Sequence, residues 1–282
     1  HLIVVSKDLS WFNHVHPGYK DYGHFVIDQT IPRAGTYKIY ADYTPLGGEQ
    51  EVAQKEFIVA GPSPLGATPK LIADKLVNGW MTKKVVSKPE GEPQAAGGDS
   101  YTVALMPMPG VIKSGEDVML HFQVRDAAGK PVSDLQPYLG AMGHAVLLSA
   151  DSNIYLHTHP TDGAHAEDAQ AEGAQAEGDH AKMEHAAPAA GAKGGPDVMF
   201  HTNFPVPGLY KVWGQFQHKG RIVTAPFVLN VAQGAKKVAG ASAGGAKLAA
   251  YYCPAHPQVT SNDPKAKCAK CGGMKLVKRP SA

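Results

Sequence analysis

Cysteine is scarce. The 282-residue chain has 3, and all of them lie between Cys253 and Cys271. An odd number confined to one short stretch does not build a disulfide framework and points instead to a local metal site. Long apolar runs are missing as well: none reaches the roughly 18 residues that a membrane-spanning helix needs. No signal peptide is visible, although the chain begins at His1 rather than Met, as expected of a processed or truncated product, which leaves room for a removed export signal. Charge of one sign is also lacking, with a formal net charge of +2. Without a basic stripe and interleaved aromatics, nucleic acid is not an expected partner. Nor does any G-x-S-x-G, Walker, H-E-x-x-H or Rossmann fingerprint occur, so no enzyme is expected.

What the chain has instead is histidine, 14 in all, the side chain most often used to ligate metals. Six of the fourteen recur in a duplicated pattern. "HLIVVSKDLSWFNHVHP" (1–17) aligns without a gap on "HAVLLSADSNIYLHTHP" (144–160), at an offset of 143 residues. "IPRAGTYKIYADYTP" (31–45) aligns on "FPVPGLYKVWGQFQH" (204–218) at an offset of 173. The second copy therefore carries an insertion of 30 residues, which falls in the Ala-, Gly-, Glu- and His-rich stretch 162–195. Internal repetition of this kind sets the architecture.

Each copy reads as short β-branched and aromatic runs broken by Gly, Pro, Asn and Asp, the pattern of antiparallel strands. The expected fold is all-β, with tandem antiparallel β-sandwich repeats and a small zinc-ribbon-like metal module at the end. Residues 1–61 read as the back half of a first sandwich, incomplete at its N-terminus because nothing before His1 matches the strands that precede His144. Residues 62–98 read as a connector and 99–232 as the second sandwich, with 162–195 as a mobile loop. Residues 233–250 read as a flexible linker and 251–278 as the metal module.

In that module Cys253 and His256 form a C-x2-H knuckle, and Cys268 and Cys271 form a C-x2-C knuckle. Four such donors close a tetrahedral site, and a segment this short needs a metal for most of its stability. The module resembles the short heavy-metal-binding domain, usually Y-x-C-P-M-H-P…C-P-x-C-G-M-x-L, of periplasmic adaptors of copper/silver efflux pumps and some metal-transporting ATPases. Tyr252, Cys253, Pro254, His256, Pro257, Cys268, Cys271, Gly273, Met274 and Leu276 carry the resemblance. Ala255 stands where the usual Met would be, and Gly272 adds a residue before Gly273, so zinc is the expected ion with Cu(I) as its rival. Most of 1–60 and 100–232 is similar to exported bacterial proteins with immunoglobulin- or cupredoxin-like folds, which implies association with metal.

The repeated H-x-H-P raises a second candidate. If 144 pairs with 159, an odd-sum register, His144 shares one sheet face with His157 and His159; the same geometry recurs for His1, His14 and His16. An even-sum register would split them, and packing of half-buried imidazoles would equally account for the pattern. Three imidazoles suit Cu(II) or Zn(II). His201, and His24 in the first copy, are candidate fourth donors. His165, His180, Met183 and His185 in the insertion, and the thioethers of Met106 and Met108, are further possible donors.

The function expected from these features is that of a metal-binding protein of the bacterial envelope, periplasmic or extracellular. It would serve copper or other heavy-metal buffering, delivery or efflux support, with metal ions and an efflux or delivery protein as partners. The alternative is a structural or assembly protein whose metal sites staple the fold and whose first repeat is completed by self-association.

Overall fold

Strands buried on both faces lose the alternation of apolar and polar residues and read as continuous apolar runs. "LIVVS" and "HAVLLS" are such runs, and their burial identifies the centre of this molecule. A computed structural model describes residues 1–45, 48–61, 71–90, 97–160 and 191–235, and in the C-terminal part 251–252, 260–261, 263, 265–268, 274–275 and 277–278. The chain divides into two compact units, His1–Ala235 and Lys236–Ala282. All regular structure among the described residues is β.

The first repeat contributes β1 (Leu2–Ser6), β2 (Phe12–Val15), an exposed hairpin of β3 (Gly18–Asp21) and β4 (His24–Val26), β5 (Gly35–Tyr43) and β6 (Glu51–Val59). Its main sheet has the order β2-β1-β5-β6, antiparallel throughout. The second repeat contributes β7 (Met81–Val86), β8 (Ser100–Met108), β9 (Ile112–Lys113), β10 (Asp117–Arg125), β11 (His144–Ser149), β12 (Tyr155–Thr158), β13 (Asp197–Asn203), β14 (Gly208–His218) and β15 (Arg221–Ala232). Here two sheets, β13-β10-β8-β7 and β12-β11-β14-β15-β9, enclose one core that includes Leu105, Leu120, Phe122, Leu147, Phe200, Phe216 and Phe227. Every pairing is antiparallel except that of β9 with β15. The stretch read as a connector is partly structural, because Met81–Val86 pairs with β8 along the sheet edge. The Asn78-Gly79 turn just before it, followed by a short alternating run, was the available signal of a strand.

The two repeats meet across equivalent faces. β1 and β5 of the first lie against β11 and β14 of the second, and Ile3, Val5, Leu9, Phe12, Tyr40, Val146, Leu148 and Trp213 form the shared cluster. The contacts are reciprocal. Phe12 stacks on Trp213, with centroids 4.5 Å apart and planes 11° apart. Their counterparts, Tyr155 and Tyr40, stack in the same way at 4.9 Å and 15°. The duplication thus produces within one chain the kind of interface that a two-fold dimer makes between two. The first sheet's other face carries buried Val4, Trp11 and Tyr37 with half-buried Leu2, Ile39, Phe57 and Val59. In the second repeat the equivalent face is covered by β13-β10-β8-β7.

Of the second unit, the strands β16 (Tyr251–Tyr252), β17 (Thr260–Ser261), β18 (Lys267–Cys268), β19 (Met274–Lys275) and β20 (Val277–Lys278) are described. They form a small sheet β17-β16-β20 and a pair β18-β19.

The stacked pairs are the interface's largest single contacts. Trp213→Ala is expected to cost about 3–5 kcal/mol. Denaturant unfolding followed at equilibrium measures this, and a loss below about 1 kcal/mol would mean that the repeats do not depend on one another.

Candidate metal centre

The turn between β1 and β2 sets the register of the first hairpin. Ser6 caps it by accepting from the Trp11 N–H at 2.9 Å, while Asp8 accepts from the Ser10 N–H, and Leu9 takes a left-handed φ of 54°. The second repeat builds the same turn with Ser149, Asp151 and Ser152, whose φ is 55°. As a result Ile3 pairs with His14, and Val146 with His157, both in odd-sum register. Each hairpin therefore has its three histidines on one face.

That face is the one turned toward the other repeat. His1, His14, His16, His144, His157 and His159 converge into a single cluster, where the sequence suggested two separate sites. The His1 ring lies at its centre, with centroids 4.5 Å from His157 and 5.4 Å from both His144 and His159. Potential ligand atoms of His1, His144, His157 and His159 all fall within 4.8 Å of one another, and so do those of His1, His14 and His16. His1 and Asp42 exchange both main-chain hydrogen bonds, which is the pairing that His144 makes with Gln215.

Acceptor-only neighbours fix the tautomers. The carbonyl of Tyr138 accepts from His144 Nε2–H at 2.7 Å, so the lone pair of His144 is on Nδ1. The Asp42 carboxylate accepts from His157 Nδ1–H at 3.0 Å, and the Gln215 side-chain oxygen accepts from His14 Nδ1–H at 2.8 Å. Both of those rings keep their lone pair on Nε2. Nδ1 of His144 and Nε2 of His157 then face each other at 3.1 Å, lone pair against lone pair. His14 Nε2 faces His1 Nδ1 at 2.9 Å, and His16 Nε2 approaches the same Nδ1 at 2.7 Å. The opposed lone pairs of His144 and His157 repel at this range unless a cation lies between them, whereas His1 Nδ1–H can donate to Nε2 of His14 or of His16.

Protons are disfavoured on His14, His16 and His144. Burial, reinforced by the charges of neighbouring rings, pushes His14 and His144 well below the ordinary imidazole range. Burial also brings His16 down to about 4. A divalent ion fits the donor set better: the ligands are all borderline nitrogens, and ligating histidines usually give their second N–H to a carboxylate or carbonyl. Asp42 supplies the compensating charge. Its burial would raise its pKa, but hydrogen bonds from His157, Gln50 and Tyr155 outweigh this and hold it below the usual value. Asp42 and Gln215 occupy matching repeat positions at the offset of 173, so each repeat orients a histidine of the other. Open crevices of 380 Å³ beside Asp42 and His157, and of 860 Å³ beside His1 and His16, give access from two sides.

Sequence reasoning missed Asp42, Gln215 and Tyr138. A polar residue amid the buried β5 and β14 was the available signal. His201 does not join the cluster: it lies on β13 with its ring 3.5 Å from Asp117. His24 sits on the exposed β3–β4 hairpin, 3.2 Å from Asp21. Neither strand reaches the cluster: β13 pairs with β10 in the other sheet, and β3–β4 form a separate hairpin. Of the cysteine module, Cys253, His256 and Cys271 lie outside the described residues, and Cys268 is described only by its strand. His165, His180, Met183 and His185 also lie outside them.

Comparison with known families adds two matches. Residues 94–233 match the model of a domain of unknown function (DUF8832), which spans the second repeat. Residues 250–279 match the heavy metal binding domain, so the C-terminal unit carries a module of that class. No curated protein and no solved structure matched. Among the described residues no helix is long and apolar enough to cross a membrane.

The depressed imidazoles make metal-free stability depend on pH. The unfolded chain takes up protons on these rings near pH 6.5 while the folded state keeps them neutral, so acid favours unfolding. Stability is expected to be full above about pH 6.5 and to fall steadily toward about pH 5, and His14→Gln with His144→Gln is expected to flatten that slope. Denaturant midpoints across this range provide the check.

Proposed function

We propose that this chain is a metal-binding protein of the bacterial cell envelope that buffers or hands on copper or zinc. It holds a divalent ion in the six-histidine centre and a second ion in the C-terminal module. The observation that carries the reading is the pair of opposed lone pairs on His144 and His157, locked by Tyr138 and Asp42. The heavy metal binding domain at 250–279 supports metal handling generally. The envelope location rests on the resemblance of that module to those of periplasmic efflux adaptors. Cys253, His256, Cys268 and Cys271 are its proposed ligands, with zinc or copper bound there.

The chemistry asked of the protein's own residues is binding and orientation. Asp42 and Gln215 hold His157 and His14 in the deprotonated-inward tautomer, Tyr138 does the same for His144, and the half-buried and exposed rims at His1, His159 and His16 leave the ion open to exchange. A staple role has one observation in its favour, namely that the ligands come from both repeats. A transferable ion exchanges with a chelator in minutes without unfolding the protein, whereas a staple leaves only on unfolding.

Metal analysis of the intact chain tests the reading. Cys253→Ser with Cys268→Ser and Cys271→Ser is expected to remove one ion and leave one, and His144→Asn with His157→Asn is expected to remove the other. Retention of both ions by the histidine variant would sink the six-histidine centre. Asp42→Asn is expected to weaken binding at that centre by about 10–100-fold, as read by competition with a chelator. At an ion concentration 100 times Kd, occupancy is expected to stabilise the first unit by about 2.7 kcal/mol, visible as a raised melting temperature.

A further inference from the structure

The outer face of an antiparallel sheet is normally polar, because it meets water. The outer face of β13-β10-β8-β7 departs from this between β8, β10 and β13. His121 is paired across the sheet with Met106 on one side and Met199 on the other. In the next row Met119 is paired with Met108. Directly opposed residues in adjacent strands have Cβ atoms about 5 Å apart, within reach of one shared ion for side chains as long as methionine. Four of the chain's 8 methionines thus surround one histidine on a surface where the core does not need them. Met106, Met108, Met119 and His121 are half-buried, and Met199 is 39% exposed.

Two further features turn the row into a site. The tight turn Val77–Trp80, with left-handed Asn78 and Gly79, folds over it. It brings the Trp80 indole to 5.0 Å from the His121 ring, and Gly79 so close to Met106 that an added Cβ would lie 3.7 Å from its sulfur. On the other side the Asp197 carboxylate accepts from His121 Nε2–H at 2.7 Å, and also from Gln123. The lone pair of His121 is therefore on Nδ1, the same carboxylate–histidine arrangement that prepares an imidazole as a metal ligand.

We infer that Met106, Met119, Met199 and His121, under Trp80, form a binding site for a soft monovalent ion, Cu(I) or Ag(I). Thioether sulfur selects such ions over Zn(II) and Cu(II), and an indole face stabilises a nearby cation. The site shares no residue with the six-histidine centre and does not depend on that centre binding metal.

The test is a titration of the intact chain with silver nitrate, with Cys253→Ser, Cys268→Ser and Cys271→Ser introduced so that thiolates do not compete. Methionine methyls labelled with 13C are followed by NMR alongside tryptophan emission. The expected result is that the methyls of Met106, Met119 and Met199 shift together and saturate at one equivalent, with Trp80 emission quenched, while core-facing Met81 and Met142 stay in place. Met106→Leu with Met199→Leu, which keeps side-chain volume, is expected to abolish the quenching; unchanged Met81 and Met142 signals show that the fold survives. Asp197→Asn is expected to weaken silver binding by about tenfold or more. Methyls of the row that do not move, or that shift equally with zinc chloride, would overturn the assignment.

Discussion

Opposed imidazole lone pairs at the seam between the repeats are the constraint on which the rest of the arrangement depends. His144 and His157 point unprotonated nitrogens at each other across 3.1 Å because Tyr138 and Asp42 hold the opposite nitrogens as donors. Such a pair is tolerable beside solvent, but here His144 is fully buried and the His157 side chain is only 2% exposed. Burial disfavours a proton on His144. On the proposed reading, a bound divalent ion would satisfy both lone pairs at once and meet the negative charge of Asp42.

The interface explains why the histidines are doubled. Each hairpin presents three imidazoles, and reciprocal packing places the two sets face to face. The outer acceptors are exchanged between repeats: Asp42 of the first orients His157 of the second, and Gln215 of the second orients His14 of the first. The exchange is geometrically symmetric and electrically asymmetric. A carboxylate strengthens the basicity of its histidine more than an amide does, so on the proposed reading the half made by His1, His144, His157 and His159 would be the stronger binding half. In the core a similar asymmetry appears at Gly214, where a Cβ would collide with the Phe122 ring, while the matching position in the first repeat is Ala41.

Much of this was legible in the sequence, and the parts that were not have physical reasons. The duplication, the β class and the same-face placement of the two histidines in each H-x-H follow from the repeat and from period-two alternation; whether the upstream histidine joins them depends on the register, which the sequence left open and which Val146 opposite His157 decides. The convergence of the two triplets was not legible, because it depends on which sheet face each repeat buries. "LIVVS" and "HAVLLS" are apolar on both faces and do not say. Asp42 and Gln215 were hidden for the same reason, each being one polar residue within an otherwise strand-like run. His201 was a candidate fourth donor from the second copy, but β13 belongs to the opposite sheet of the sandwich, paired with β10. The methionines around His121 were partly visible as the Met106–Met108 pair; their neighbours Met119 and Met199 join them only once the strand order is known.

The most direct test of the central claim is an anomalous diffraction map from crystals of the intact protein grown with copper(II) or zinc(II) at neutral pH. The account predicts an anomalous peak among the inward nitrogens of His1, His144 and His157, with Asp42 still bonded to the outer nitrogen of His157. No peak at that point, with His144 and His157 instead sharing a proton, would contradict it.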